Sequence, residues 1–100
     1  MKTLGTHNYY VYILTNKNKT VLYIGVTNNL KNRIEYHKQN NKKNSFTFKY
    51  NCFYAVYFEN FSEINQAITR EKELKGWMRC KKEELINTFN PSWKFLNDEL

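Results

Sequence analysis

The stretch VLYIGVTNNLKNRIEYH at residues 21–37 joins a strand pattern directly to a helix pattern and decides the fold of this chain. Its first residues are β-branched and aromatic, which is typical of a β-strand. Polar residues follow Gly25, and either Thr27 or Asn28 is predicted to cap a helix over residues 30–39.

A second strand lies upstream and forms a β-hairpin with the first. Residues 9–15, YYVYILT, and residues 20–26, TVLYIGV, share the composition of strands, and the NKNK segment between them is typical of a turn. A symmetric loop of two or four residues puts Tyr12 directly opposite Tyr23, on one face of the hairpin. A loop of three residues shifts the register by one and puts the tyrosines on opposite faces. The sequence favours the symmetric loop but leaves both registers open.

The rest of the chain adds one strand and two helices. Residues 52–59 alternate and are strongly β-prone. Ser62 is predicted to cap a helix that runs to about residue 75, and a third helix covers residues 79–88 and stops before Pro91. We therefore predict an α+β domain of order ββαβαα, with a small three-stranded antiparallel sheet and helices on at least one of its faces.

The second helix carries a carboxylate among its apolar positions. Glu71 lies three residues after Ile68 and four after Ala67, on the stripe predicted to face the core. The apolar members of this stripe are Ile64, Ala67, Ile68, Leu74 and Met78. An unpaired buried charge is costly, so Glu71 needs a partner, which in a purely structural role would be Arg33 or Arg79.

The length, composition and charge of the chain limit the classes of function that it can have. One hundred residues with 41% hydrophobic side chains suit a single domain, residues 1–100, with a core over about residues 9–96. The net charge of +7 favours an anionic partner, with a solvated lysine-rich surface as the alternative. No apolar run approaches membrane-spanning length, so we expect no membrane partner and a cytoplasmic location. Cys52 and Cys80 form neither a close pair nor a metal-ligand cluster.

Five polar residues stand out as a candidate catalytic site. Tyr12 and Tyr23 share a strand face in the symmetric register. Arg33 and His37 lie at i and i+4 on one helix face, and Glu71 lies on the inward stripe of another helix. Such a set suits metal-assisted phosphodiester hydrolysis: the carboxylate holds a divalent cation, the guanidinium binds a phosphate oxygen, and a phenol or imidazole takes a proton from water. Each residue alone also has a structural explanation, as a core aromatic, a surface cation or a packed histidine.

Four segments carry a set of motifs: YVYILTN at residues 10–16, LYIGVTNNLKNRIEYH at 22–37, AITREKELKGWMRCKKEELI at 67–86, and NPSW at 90–93. Together they resemble the GIY-YIG nuclease superfamily, and in particular its small standalone single-domain group. A YIG triplet followed by this Arg, His and downstream Glu is a specific combination. The resemblance implies an endonuclease that uses one Mg²⁺ or Mn²⁺ ion.

The resemblance also implies a role for each matching residue. The catalytic set is Tyr12 and Tyr23 as the motif tyrosines, Arg33 as the phosphate-binding residue, His37 as a helper at the base site and Glu71 as the metal ligand. Gly25 matches the motif glycine, although it could simply let the strand turn tightly into the helix. Asn90 is a further candidate, for a position near the scissile phosphate.

Two positions depart from the family pattern. The first triplet is Tyr10-Val11-Tyr12, so its glycine is absent while its tyrosine is kept. Val26 stands where repair-type members carry a lysine. The second change removes one cation beside the catalytic tyrosines, which bears on how readily either phenol ionises.

Basic residues near these motifs are candidates for phosphate contacts: Lys38, Lys42, Lys43 and Lys49 around the first helix and a loop predicted over residues 39–45, and Arg79, Lys81 and Lys82 at the start of the third helix. No element is built to read base edges, so we expect DNA cleavage with low sequence specificity or with selectivity for structure, as in repair or recombination, and with RNA as the alternative substrate. The competing hypotheses are a nucleic-acid-binding domain with an idle site and a small interaction domain whose charge serves solubility. The oligomeric state is left open.

Overall fold

The described part of the chain forms two strands, a helix, a third strand and two further helices. The structure is a computed structural model, and it describes residues 8–39 and 49–100. The elements are β1 (Tyr9–Thr15), β2 (Leu22–Thr27), α1 (Leu30–Gln39), β3 (Tyr54–Phe61), α2 (Ile64–Lys75) and α3 (Arg79–Phe89), followed by a short 3₁₀ helix (Asn97–Glu99). The predicted α+β class and the order ββαβαα are confirmed.

The sheet has the strand order β2-β1-β3, and both pairings are antiparallel. The central strand is buried on both faces, and Val11, Tyr12, Ile13 and Leu14 have 0% exposed surface. Because successive side chains alternate between faces, β1 contributes to two cores. Val11 and Ile13 pack with α2 and α3, whereas Tyr12 and Leu14 pack with α1. Helices therefore cover both faces of the sheet.

The hairpin loop is longer than the sequence analysis allowed, because β2 begins at Leu22 rather than at residue 20. The Asn16 carboxamide organises this loop. Its oxygen accepts hydrogen bonds from the backbone N–H groups of Thr20 and Val21, and its nitrogen donates to the Thr20 hydroxyl. Lys19 adopts a left-handed φ of 61°, which completes the turn. Strand propensities do not include hydrogen bonds between a side chain and its own loop, so they could not predict this longer loop.

The direct opposition of Tyr12 and Tyr23 was wrong by two residues. Tyr12 lies opposite Gly25, and Tyr23 lies opposite Leu14. A shift of two residues leaves every side chain on its original face, since the side-chain period of a strand is two. The two tyrosines therefore share a face as diagonal neighbours, with ring centroids 6.3 Å apart. The prediction that Tyr12 and Tyr23 share one face is therefore confirmed, although the predicted register was wrong.

The helix caps also differ from those predicted. Asn29, rather than Thr27 or Asn28, caps α1, and its side-chain oxygen accepts the backbone N–H of Asn32 at 3.0 Å. Glu63 rather than Ser62 precedes α2, and it makes no side-chain capping bond. Polar residues in a row offer several possible caps, and only the path of the chain into the helix selects one of them.

The apolar stripe of α2 is shorter than its periodicity indicated. Ala67 and Leu74 are buried, but Ile64 is 40% exposed and Met78 is 75% exposed. The helix ends at Lys75, with Gly76 as its C-terminal cap. Met78 therefore falls outside α2, where helical spacing no longer decides the direction of its side chain.

The two edges of the sheet differ. The segment after α3 covers the outer edge of β3: the Leu96 N–H donates to the Ala55 carbonyl at 2.8 Å. The Asn97 side chain bonds the backbone of both Ala55 and Phe53. β2 forms the opposite edge, and one row of its peptide groups faces away from β1.

The length of the described helices and the state of the two cysteines bear on the class of protein. Within residues 8–39 and 49–100, no helix combines the length and the apolar character needed to cross a bilayer. Both cysteines are free thiols, Cys52 buried and Cys80 exposed. Burial raises the pKa of the Cys52 thiol to about 11, so it packs as a small apolar group.

The cap of α1 generates a stability prediction. We expect Asn29→Ala to lower the free energy of unfolding by about 1 kcal/mol, because it removes the acceptor of the Asn32 N–H. Urea denaturation followed by circular dichroism measures this change. Asn28→Ala is the matched control: Asn28 is exposed and adjacent, and its loss should cost less than about 0.5 kcal/mol. Equal losses in the two variants would contradict the assignment of the cap.

Candidate active site

The Tyr12 side chain lies directly over the backbone of Gly25. A Cβ atom added at Gly25 would come within 2.4 Å of the Tyr12 hydroxyl oxygen and 2.5 Å of its Cζ atom. Gly25 lies inside β2, so the tight turn considered for it is not its role. The glycine instead leaves the space that the phenol occupies on top of the edge strand.

His37 lies against both tyrosines. Its Nε2 atom is 3.3 Å from the Tyr12 hydroxyl oxygen. Its ring meets the Tyr23 ring edge-on, with centroids 5.5 Å apart. Burial, assisted by the positive charge of Arg33, lowers the pKa of His37 to about 4. The imidazole is therefore neutral at pH 7, and with its proton on Nδ1 it accepts a hydrogen bond from the phenol.

The pKa of Tyr12 is shifted in the opposite direction from that of His37. Burial raises the pKa of its phenol to about 12, and the charges of Tyr23 and Glu71 add to this rise while the neighbouring Arg33 guanidinium opposes it. The phenol is therefore protonated at neutral pH, and it donates to His37 when the imidazole proton is on Nδ1. Tyr23 keeps part of its surface exposed, so it is the tyrosine of the pair that a solvent molecule can reach.

Arg33 provides the positive charge of the site. Its guanidinium lies 5.1 Å from the centre of the Tyr36 ring and interacts electrostatically with Tyr12 and Tyr23. Its Nε atom is buried and has no hydrogen-bond partner among the residues that the structure describes. A buried donor without an acceptor costs free energy, which an incoming phosphate oxygen can recover.

Glu71 lies on α2 and interacts electrostatically with Tyr12. Its side chain is only 15% exposed, and its Oε2 atom is 3.0 Å from the Lys75 ammonium nitrogen. Its negative charge contributes to the raised pKa of Tyr12. Its observed ion-pair partner is Lys75, not the Arg33 or Arg79 that the sequence analysis considered. The spacing of four residues in EKELK is a signal for this pair that the sequence analysis missed.

The donor set decides which metal the site suits. Across residues 8–39 and 49–100, no three His, Cys, Asp or Glu side chains come together as a metal cage. Mg²⁺ keeps several waters and often takes only one or two carboxylates plus the phosphates of its substrate. A single carboxylate beside a phosphate-binding guanidinium fits that pattern, and it does not fit a structural zinc site.

Asn90 is committed to the fold. Its amide nitrogen donates to the carbonyl groups of Val56 and Lys94, and its oxygen accepts the Lys94 N–H. The residue is buried, and it ties the end of α3 to β3. Both hydrogen-bond functions of this amide are thus used within the fold, which favours a structural role for Asn90 over the predicted position near the scissile phosphate.

The predicted basic residues divide into several groups. Lys42, Lys43 and most of the predicted loop at 39–45 lie outside the described residues. Arg79 pairs with Glu83 and donates to the backbone carbonyl of Thr20, so it anchors the hairpin loop. Lys81 lies 4.2 Å from the centre of the Trp77 ring. The exposed Lys38 and Lys49 and the partly buried Lys82 complete the set.

The comparison with protein families agrees with this site. The model of the GIY-YIG catalytic domain matches residues 8–84, and the chain belongs to the GIY-YIG family. The match includes all five candidate residues from Tyr12 to Glu71. The family is one of nucleases that act on nucleic acids and generally depend on a metal ion.

The relatives of this chain are small standalone members of the family, the UPF0213 proteins. A UPF0213 protein of Clostridium perfringens is 39% identical over 79 residues, which cover 79% of this chain and 83% of the relative. One of Natronomonas pharaonis is 33% identical over 79% of this chain and 91% of the relative. The solution NMR structure of a UPF0213 protein from Bacillus halodurans matches with a TM-score of 0.52 and 33% identity, covering 81% of this chain and 84% of that one.

The contact between Gly25 and Tyr12 generates a mutational prediction. We expect Gly25→Ala to lower the free energy of unfolding by about 1–3 kcal/mol, because the new methyl group overlaps the phenol. Chemical denaturation measures the loss. In a Tyr12→Leu background the same substitution should cost much less, since the overlapping atoms are gone. An equal cost in both backgrounds would contradict steric exclusion as the reason for glycine.

The burial of His37 generates a prediction about pH. An unfolded imidazole titrates near pH 6.5, whereas the folded one titrates near 4, so the unfolded state binds more protons between these values. We therefore expect stability to fall as the pH is lowered from about 6.5 to about 4. NMR titration of the His37 ring gives the midpoint directly. A midpoint near 6.5 in the folded protein would refute the buried neutral imidazole.

Proposed function

We propose that this protein is a metal-dependent DNA endonuclease that hydrolyses phosphodiester bonds and works as a single domain over residues 1–100. The observation that carries the proposal is the convergence of Tyr12, Tyr23, Arg33 and His37 with the charge of Glu71. These groups come from two strands and two helices. A purely structural cluster would have no need of an unsatisfied guanidinium N–H beside a protonated phenol and a carboxylate.

Each group has a role in this proposal. Glu71 would hold Mg²⁺ or Mn²⁺, which would neutralise phosphate charge when bound. Arg33 binds a non-bridging phosphate oxygen through its unfilled donor capacity. Tyr23, the phenol with exposed surface, takes the proton of the attacking water, and Arg33 stabilises the negative charge of the ionised phenol.

The Tyr12 and His37 pair supports the reacting phenol. The Tyr12 hydroxyl donates to the neutral imidazole, and both rings pack against Tyr23, so the orientation of Tyr23 is determined by two neighbours. Val26 provides no cation beside the tyrosines, and the Arg33 guanidinium interacts electrostatically with both of them. This makes Arg33 the residue whose loss should affect both phosphate binding and proton transfer.

The substrate follows from charge and from the shape of the chain. A net charge of +7 with exposed lysines attracts phosphates without reading sequence. The sequence contains no recognised base-reading motif, so we infer low sequence specificity or selectivity for branched and single-stranded DNA. Such structures arise in DNA repair and recombination. The proposal includes a cytoplasmic location, in the compartment of its nucleic-acid substrate.

A cleavage assay on flap, single-stranded and duplex DNA with Mg²⁺ or Mn²⁺ tests the proposal. We expect Glu71→Gln and Arg33→Ala each to lower the rate by about 10²–10³-fold, because each removes a group that stabilises the charged transition state. Tyr23→Phe should lower it by about 10²-fold or more, because the proton acceptor is lost. Chelation of the metal with EDTA should abolish cleavage.

Glu84→Gln is the matched control for the carboxylate, since Glu84 is exposed and lies on α3 away from the tyrosines. It should leave the rate unchanged. If Glu71→Gln cleaves as fast as Glu84→Gln, Glu71 is not the metal ligand. Cleavage of RNA but not DNA would overturn the choice of substrate while leaving the site intact.

The second candidate is a nucleic-acid-binding domain with an idle site. Two observations favour it: Lys75 already neutralises Glu71, and the Tyr12 phenol has a pKa of about 12. It predicts binding that weakens steeply with salt and no metal-dependent cleavage. The same assay, run beside a salt titration of binding, separates the two functions.

A further inference from the structure

A groove of about 270 Å³ runs along β2 next to the candidate site. It is lined by Leu22, Tyr23, Ile24, Lys75 and Lys82. β2 is the edge strand of the sheet, so the groove lies outside the hydrogen-bonded part of the sheet. Tyr23 belongs to both the groove and the candidate site, so the groove adjoins that site.

Two lysines from different helices give this groove its charge. Lys75 ends α2, and Lys82 lies in the first turns of α3. Lys82 makes no ion pair with any residue in the described part of the chain. Two ammonium groups above an apolar strand form a site for a polyanion whose charges are regularly spaced, and not for a neutral ligand.

Lys75 connects the groove to the carboxylate. Its ammonium nitrogen is 3.0 Å from the Glu71 Oε2 atom, and its side chain is 53% exposed. In the protein without metal, Lys75 therefore supplies the positive charge that Glu71 needs. A divalent cation on the same carboxylate brings two more positive charges next to the ammonium group, and like charges at such a distance repel.

We propose that the groove formed by residues 22–24, Lys75 and Lys82 binds the sugar–phosphate backbone of the substrate strand beside the cleavage site, and that Lys75 exchanges Glu71 for a phosphate of this strand when the divalent cation binds. The inference rests on the proposed function, which supplies the strand and the cation. It adds two things to that function. The first is the path that the substrate strand takes, and the second is the movement of Lys75 from Glu71 to a phosphate, which couples the binding of the metal to the binding of the strand.

The exchange makes the binding of metal and strand cooperative. Metal binding frees Lys75 for a phosphate, and strand binding draws Lys75 away from the carboxylate that holds the metal. By thermodynamic linkage each ligand raises the affinity for the other by the same factor. Couplings of this kind are typically about 5-fold or larger, so we expect Mn²⁺ to tighten strand binding by at least about 5-fold.

The test measures both ligands without relying on turnover. Strand binding is followed by the fluorescence anisotropy of a labelled, phosphorothioate-linked oligothymidylate of roughly eight nucleotides, with and without Mn²⁺. Mn²⁺ binding is followed by the electron paramagnetic resonance signal of the free ion. We expect Lys75→Met to bind Mn²⁺ more tightly than the parent in the absence of DNA, because the competing cation is gone. In this variant Mn²⁺ should no longer tighten strand binding.

Lys82→Ala separates the groove from the exchange. It should weaken strand binding and reduce the slope of log affinity against log salt concentration by about 0.7, the value for one lost phosphate contact on a single strand. It should keep the coupling to Mn²⁺. Lys31→Ala is the matched control: Lys31 is exposed and lines a different cleft, next to Asn28 beyond the far end of β2, so its loss should change neither quantity beyond the effect of one distant charge.

The outcomes distinguish this inference from the proposed function. If the parent cleaves DNA but Lys75→Met and Lys75→Gln both keep its Mn²⁺ affinity and its coupling, the exchange is overturned and the nuclease stands. If Lys82→Ala behaves like Lys31→Ala, the strand does not follow the groove. If the coupling and its loss in Lys75→Met are observed while no substrate is cut, the exchange stands and the proposed catalysis fails. Urea denaturation of each variant confirms that it is folded.

Discussion

The passage of the Tyr12 side chain over Gly25 is the constraint on which the rest of the structure depends. β1 is the central strand, and the Tyr12 side chain passes over its neighbour β2 to pack with α1. The absence of a side chain at Gly25 leaves room for the phenol, because a Cβ atom there would lie 2.4 Å from its hydroxyl oxygen and 2.5 Å from its Cζ atom. The hydroxyl reaches His37 only because it can lie above β2. The same contact between Tyr12 and Gly25 therefore determines both the packing of the sheet and the position of the polar cluster.

Burial then sets the charge state of the cluster. The same desolvation that raises the pKa of Tyr12 to about 12 lowers that of His37 to about 4, so both are neutral at pH 7. Arg33 retains its charge: partial burial lowers the pKa of its guanidinium, but the interactions with the neighbouring phenols raise it by more. The result is one partly buried cation whose Nε donor is unfilled within the described residues, together with a carboxylate that is already paired with Lys75. In the absence of a ligand two cations, Arg33 and Lys75, accompany the single carboxylate of Glu71. The cluster therefore carries a net positive charge, which favours a phosphate.

Strand periodicity fixes the face on which a side chain lies, even where the pairing of the strands is not known. The two tyrosines were assigned to one face from strand periodicity alone, and this held although the register was off by two residues, because only an odd shift changes the face. The Asn16 side chain lengthened the loop, and no propensity scale includes that bond. The placement of Met78 on the stripe of α2 failed because the helix ends before it. Asn90 looked like a ligand by its motif, yet its amide is used by the backbone of β3 and of the segment after α3.

The sequence by itself determined the order of the elements, the shared face of Tyr12 and Tyr23, and the helical spacing of Arg33 and His37, since these depend on periods of two and 3.6 residues that are written locally. It also contained the family motifs that single out Glu71. Only the tertiary structure decided that Gly25 serves as space and not as a turn, that Glu71 pairs with Lys75, and that Lys75 and Lys82 from two helices line one groove beside β2. These facts depend on distances between elements far apart in the chain, and such distances are set by packing rather than by local pattern.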